Sequence, residues 1–159
     1  MMIYKIAGAL FLSVSGVLCA AHLNRRAERR VRQIGGWISL LRFVRGQVEC
    51  FSLPMSEILA RCPPEIFAEC SFAGDVAPTS FEMLLSASPP DDRASEELLR
   101  RFCTEFGRGY REEELRGCDY FLAGLEARRT ELSTKLPTQK KMHTTLCLCS
   151  ALAVVLLLL

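Results

Sequence analysis

Apolar residues recur at Val31, Ile34, Ile38, Leu41, Val44 and Val48, in steps of three and four, and this spacing predicts a helix with one buried stripe. Trp37 and Phe43 add packing surface beside the stripe, while Gly35-Gly36 weakens the helix by about 1 kcal/mol per glycine. A second seam runs through Leu115, Cys118, Leu122, Leu125, Leu132 and Leu136, with Arg129 among them. It predicts a long helix from Glu112 that either lies antiparallel against the first or self-associates as a coiled coil. Between the two, short apolar runs are punctuated by Pro and Gly. "FSLPMSEILARCPP" predicts a helix that starts at Ser52 to Pro54, runs through Leu59 and stops at Pro63-Pro64. "PEIFAECSFAGD" predicts another brief helix before Gly74, and "PTSFEMLLSASPP" a third, capped by Thr79 or Ser80 and closed by Pro89-Pro90. "DDRASEELLRRFCTEFGRG" predicts a helix of about fifteen residues, acidic at its start and ended by Gly107 or Gly109. No strand is expected. The expected fold class is all-α: a bundle on two long antiparallel helices with short helices at the distal tip, flanked by N- and C-terminal transmembrane helices.

The two ends of the chain carry a different pattern. Ile6 to Leu23 is an uncharged run of eighteen residues, just long enough to cross a bilayer core, and it meets Arg25, Arg26, Arg29, Arg30 and Arg32. A cleaved signal peptide would use Lys5, the apolar run and Ala20-Ala21, but so basic a flank resists translocation and favours a retained anchor. Met142 to Leu159 repeats the arrangement in reverse, with Lys140 and Lys141 ahead of eighteen apolar or uncharged residues. Both basic flanks face the middle of the chain. The expected organisation is therefore an anchor over 1–23, a cytoplasmic helical domain over 24–141, and a second anchor over 142–159. Pro137 is expected to kink or interrupt the last helix just before that anchor.

Charge sharpens this division. From Glu49 to Glu131, 17 acidic residues outnumber 9 basic ones, whereas both flanks are basic. The flanks suit anionic lipid headgroups, and the acidic body argues against nucleic acid as a partner. The 8 cysteines show no CxxC spacing, and no histidine lies in the middle domain to complete a zinc set, so they read as small buried apolar residues. His22 and His143 sit at the expected membrane boundaries. "IGGW" lacks the Lys-Ser/Thr that a phosphate-binding loop needs. Glu112, Glu113 and Glu114 open the last helix, where they favour its dipole. No catalytic constellation, cofactor or metal site is expected, and the pattern is that of a docking platform. The other readings are a secreted helical protein, a generic two-span assembly factor, or a binding protein with a pocket lined by Trp37, Phe43, Phe102 and Phe106.

Three stretches carry a resemblance. "LLRFVRGQVECFSLPMSEIL", with Glu49, Leu53, Pro54 and Ile58, "RRFCTEFGRGYREEELRGCDYFLAGLE", with Phe102, Phe106, Gly107 and Leu122, and "KKMHTTLCLCSALAVVLLLL", with Lys141, Thr145 and Leu146, occur in an order and spacing that resembles the stage III sporulation protein AB family. This chain departs from that pattern at Glu114, His143, Cys147 and Pro137. The family is similar to the cytoplasmic helical domain of the inner-membrane platform protein of type II secretion and type IV pilus machines. The resemblance implies a place in the channel between mother cell and forespore. The partners it implies are a secretion-type ATPase, stage III sporulation protein AA, and other channel membrane proteins. The acidic body adds the expectation that the membrane-distal turns, through Glu112, Glu113 and Glu114, meet a basic face of that ATPase.

Overall fold

The computed structural model describes the backbone of residues 2–51, 53–74, 76 and 78–158, and the side chains of these except 2–7, 9, 10, 12, 13, 151 and 155–158. It is all-helical among the described residues, in the order α1 (Met2–Phe51), α2 (Met55–Ala60), α3 (Pro64–Glu69), α4 (Phe81–Ala87), α5 (Arg93–Glu105) and α6 (Arg111–Leu158). The chain divides into two compact units: Arg30–Leu132, and Met1–Arg29 together with Ser133–Leu159.

Within Arg30–Leu132, the stripe on α1 is the core. Ile34, Ile38, Leu41, Val44 and Val48 are buried, and so are Trp37 and Leu40, which makes the apolar face wider than the stripe alone. Cys118, Leu122, Leu125 and Leu132 of α6 face it, joined by Phe121. Ion pairs set the direction. Arg42 reaches Glu126 at 2.5 Å, Arg45 reaches Asp119 at 2.6 Å, and Arg111 donates to the Glu49 carbonyl. As numbers rise along α1 they fall along α6, so this part of the two helices is antiparallel. These pairs are solvent-exposed and contribute little stability, so the apolar seam holds the helices together.

Aromatic rings tie the short helices to that seam. Phe81 of α4 lies 5.5 Å from Trp37 and 5.0 Å from Phe102 of α5, and Phe102 lies 5.6 Å from Phe121 of α6. Trp37 and Phe102 therefore fill the core.

The helix ends follow local chemistry. Ser80 caps α4 by accepting from the Met83 amide at 3.1 Å. The α2 start expected at Ser52 lies outside the described residues, and the residue at its N-cap is Pro54, with no side-chain cap. Helix α3 is the brief helix expected before Gly74. It closes with Ser71 N donating to Ala68 O and Phe72 N to Phe67 O, a Schellman turn with Phe72 stacked edge-on against Phe67. Ser71 holds the left-handed position at φ 67°, where glycine is the usual residue. Glycine or asparagine punctuation is absent there, so the sequence pattern gives the helix without marking the residue at which it turns.

Gly36 has a second purpose that its helix propensity hides. A Cβ at this position would fall 2.4 Å from the Glu69 carbonyl carbon and 2.6 Å from the Cys70 nitrogen. The backbone end of α3 rests directly on α1. One turn earlier, buried Gln33 donates to Cys70 O at 3.3 Å and to Pro89 O at 3.1 Å, and accepts from the Asp91 amide. Ser88 Oγ donates to the same Cys70 carbonyl at 2.5 Å.

In the unit of Met1–Arg29 and Ser133–Leu159, Asn24 meets His143 at 3.3 Å and Lys140 pairs with Glu28. These pairs again run in opposite directions along the two helices. Pro137 does not end α6, which continues on both sides of it. The expected interruption is not found. Proline removes one amide and crowds the carbonyl four residues back, a cost confined to one turn that the helix carries past. Among the described residues no helix is long and apolar enough to cross a membrane. Both expected spans, Ile6–Leu23 and Met142–Leu159, include residues whose side chains are not among those described.

Candidate functional site

The acidic start of α6 is built as a turn before it is a surface. Helix α5 stops where Phe106 leaves helical geometry and Gly107 turns at φ 87°, a conformation open to glycine at no steric cost. Glu114 Oε1 then accepts from both the Gly107 and the Gly109 amides at 2.9 Å. Glu113 Oε2 accepts from the Tyr110 amide at 3.2 Å, while Tyr110 O takes the amides of Glu113 and Glu114. Glu113 thus forms the reciprocal half of a capping box, and Glu114 holds the loop that feeds it. Glu112 is exposed, and its backbone carbonyl takes Arg116 Nε at 3.3 Å. The three carboxylates named from the sequence therefore divide: two stabilise the α5–α6 turn, and Glu112 faces outward.

Arg111 ties this turn to the last turn of α1 through the Glu49 carbonyl. Around it, Val48, Leu53, Met55, Phe106, Arg111 and Glu114 line an open cleft of about 380 Å³. Phe51 and Tyr110 are exposed, Tyr110 at 85%. Sequence reasoning found the acids but not these aromatics, because an isolated exposed aromatic has no periodic signature.

A second polar cluster lies deeper. Asp92 caps α5 by accepting from Ser95 N at 3.0 Å and Ser95 Oγ at 2.8 Å. It also binds Arg128 of α6 in fork geometry, at 2.9 and 2.7 Å. The Arg128 guanidinium, with the Ser95 bonds, holds the Asp92 carboxyl down at about 2 despite its burial. Arg128 reaches Glu131 as well, at 2.6 Å. Every strong donor and acceptor in this cluster is spoken for by a neighbour, so it serves to join α5 to α6.

The cysteines are free thiols, with Cys62, Cys70 and Cys118 buried and Cys50 exposed. Burial pushes the Cys62 and Cys103 thiols up to about 11 and Cys118 to about 12. They are poor nucleophiles at neutral pH. Among the described residues, no group of three His, Cys, Asp or Glu could hold a metal ion.

The basic flanks fall as follows. Arg25, Arg26, Arg29, Lys140 and Lys141 belong to the unit of Met1–Arg29 and Ser133–Leu159, where Arg25, Arg26, Arg29 and Lys141 are exposed and Lys140 is half-buried against Glu28. Arg30 and Arg32 open the Arg30–Leu132 unit, Arg32 exposed and Arg30 half-buried.

By fold, then, the chain is an all-helical protein built on long antiparallel helices. No family model, curated protein or solved structure matches it.

Proposed function

We propose that this chain is a platform component of a secretion-like membrane apparatus, of the kind that connects mother cell and forespore during sporulation. Its bundle docks a secretion-type ATPase at the membrane, and helical stretches at the two ends of the chain hold it there. The observation that carries the docking part is the end of the bundle where α1 stops and α6 starts. There exposed Phe51 and Tyr110 lie on the segments that Arg111 joins, beside an open cleft and the outward carboxylate of Glu112. Exposed aromatics beside acids suit a partner surface that offers apolar side chains ringed by basic ones. The anchoring part is supported by the basic flanks and by the apolar ends of the chain.

The test is co-purification of the ATPase with the tagged full-length protein from sporulating cells, repeated across a salt series. Glu112→Lys lowers ATPase recovery about tenfold and flattens its salt dependence while leaving helix content unchanged. Glu114→Lys lowers recovery too, but by melting the turn held through Gly107 and Gly109, and so also lowers the melting temperature. Wild-type recovery with Glu112→Lys refutes the acidic-docking reading.

A further inference from the structure

The antiparallel pairing within the unit of Met1–Arg29 and Ser133–Leu159 assembles a surface that neither end of the chain contains alone. Asn24 meets His143 and Glu28 meets Lys140, so residues 24–29 share one level with residues 139–143. Those two stretches hold five cations, Arg25, Arg26, Arg29, Lys140 and Lys141, and one acid, Glu28, which pairs with Lys140. Arg25 and Arg29 are four apart on α1 and exposed, as is Lys141 on α6.

Immediately beyond this belt, on both helices, large apolar side chains stand outward. Phe11 is 76% exposed, Leu18 64%, Leu146 69% and Leu152 60%. The small side chain of Ala20, by contrast, is buried. Exposed large apolar side chains with a cationic rim at one end match the layering of an anionic bilayer, with phosphates outside and acyl chains within.

We infer that this belt is a binding site for anionic phospholipid headgroups, and that it makes the protein distinguish anionic from neutral lipid surfaces. The apolar faces enter the acyl boundary on any bilayer. The belt adds selectivity, because each cation near an anionic surface gains about fivefold in affinity, and three together about a hundredfold.

The experiment uses full-length protein transferred from detergent to vesicles of phosphatidylcholine alone or of an equal mixture with phosphatidylglycerol, with binding read by flotation across a lipid titration. The triple variant Arg25→Gln, Arg29→Gln, Lys141→Gln needs about a hundredfold more of the anionic vesicles for half-binding than wild type does, and binds the neutral vesicles as wild type does. Raising salt narrows the difference. A charge-preserving variant, Arg25→Lys with Arg29→Lys, retains wild-type selectivity, which separates loss of charge from loss of fold. Inorganic phosphate at constant ionic strength leaves binding unchanged; displacement by it would reassign the belt to a soluble phosphate and overturn the lipid assignment. Equal half-binding by wild type and the triple variant on anionic vesicles, or by wild type on both vesicle types, also overturns it. The inference rests on the anchoring part of the proposed function; no ATPase is present in this assay, so its failure leaves the docking part to its own test.

Discussion

Substituting one glycine of α1 destabilises the protein, and substituting another ten residues away stabilises it. By helix propensity both Gly36→Ala and Gly46→Ala should add about 1 kcal/mol. At Gly46 nothing lies within 4 Å of the new methyl group, and that gain is realised in full. At Gly36 the methyl carbon meets the backbone of Glu69 and Cys70 at 2.4 to 2.6 Å, against an ordinary carbon contact of about 3.5–4.0 Å. Backbone cannot rotate aside as a side-chain tip does, so α1 and the end of α3 must part by about 1 Å. Overpacking of this kind costs about 1–3 kcal/mol. Parting also stretches the Gln33 and Ser88 bonds to the Cys70 carbonyl, for about 1 kcal/mol more. Net of propensity, Gly36→Ala loses about 1–3 kcal/mol. Urea titrations of full-length protein, followed by helix circular dichroism and by emission from Trp37, the one tryptophan, measure both variants under identical conditions. A Gly36→Ala protein as stable as wild type would show that the close approach of α3 to α1 does not exist, and the account of Gln33 would fall with it.

Two further outcomes follow from local geometry. The Asp92 carboxyl, held at about 2 against an ordinary 3.8, contributes roughly 2 kcal/mol that is present above pH 3.8 and lost as pH falls toward 2. Asp92→Asn removes that dependence and lowers stability at neutral pH by about 2–3 kcal/mol, because half-buried Arg128 keeps only Glu131; urea midpoints at pH 7 and across the acid range read both effects. Ser71→Gly relieves the left-handed strain at the end of α3 and raises stability by about 1 kcal/mol in the same titrations, and a loss would contradict the Schellman geometry.

Much of the architecture was legible because it is periodic or locally punctuated. The α1 stripe and the α6 seam are spaced at helical intervals, and a helix pattern can be read wherever one face is consistently apolar. Ser80, Asp92 and Gly107 mark helix ends because capping needs only residues within one turn. The turn that ends α3 has no sequence mark because serine occupies a site where glycine is the signal, and Pro137 does not interrupt α6 because a proline can be absorbed inside a long helix.

The candidate site was half visible. Glu112, Glu113 and Glu114 stand out as a charge run, but which of them is spent on internal bonds depends on where Gly107, Gly109 and Tyr110 lie in space. The Asp92–Arg128 fork joins residues 36 apart, and no periodicity links them. The same holds for the cationic belt, which needs the pairing of Asn24 with His143 across 119 positions. What the sequence by itself determined is what short-range chemistry dictates: helical faces, most helix ends, and the polarity of each segment. Tertiary structure alone decided that Gly36 is a contact rather than a weakness, and that Glu114 holds a turn rather than a partner. It also decided that cations from the two ends of the chain form one surface. Each of these depends on distances between residues remote in the chain, and such distances exist only once the helices have packed.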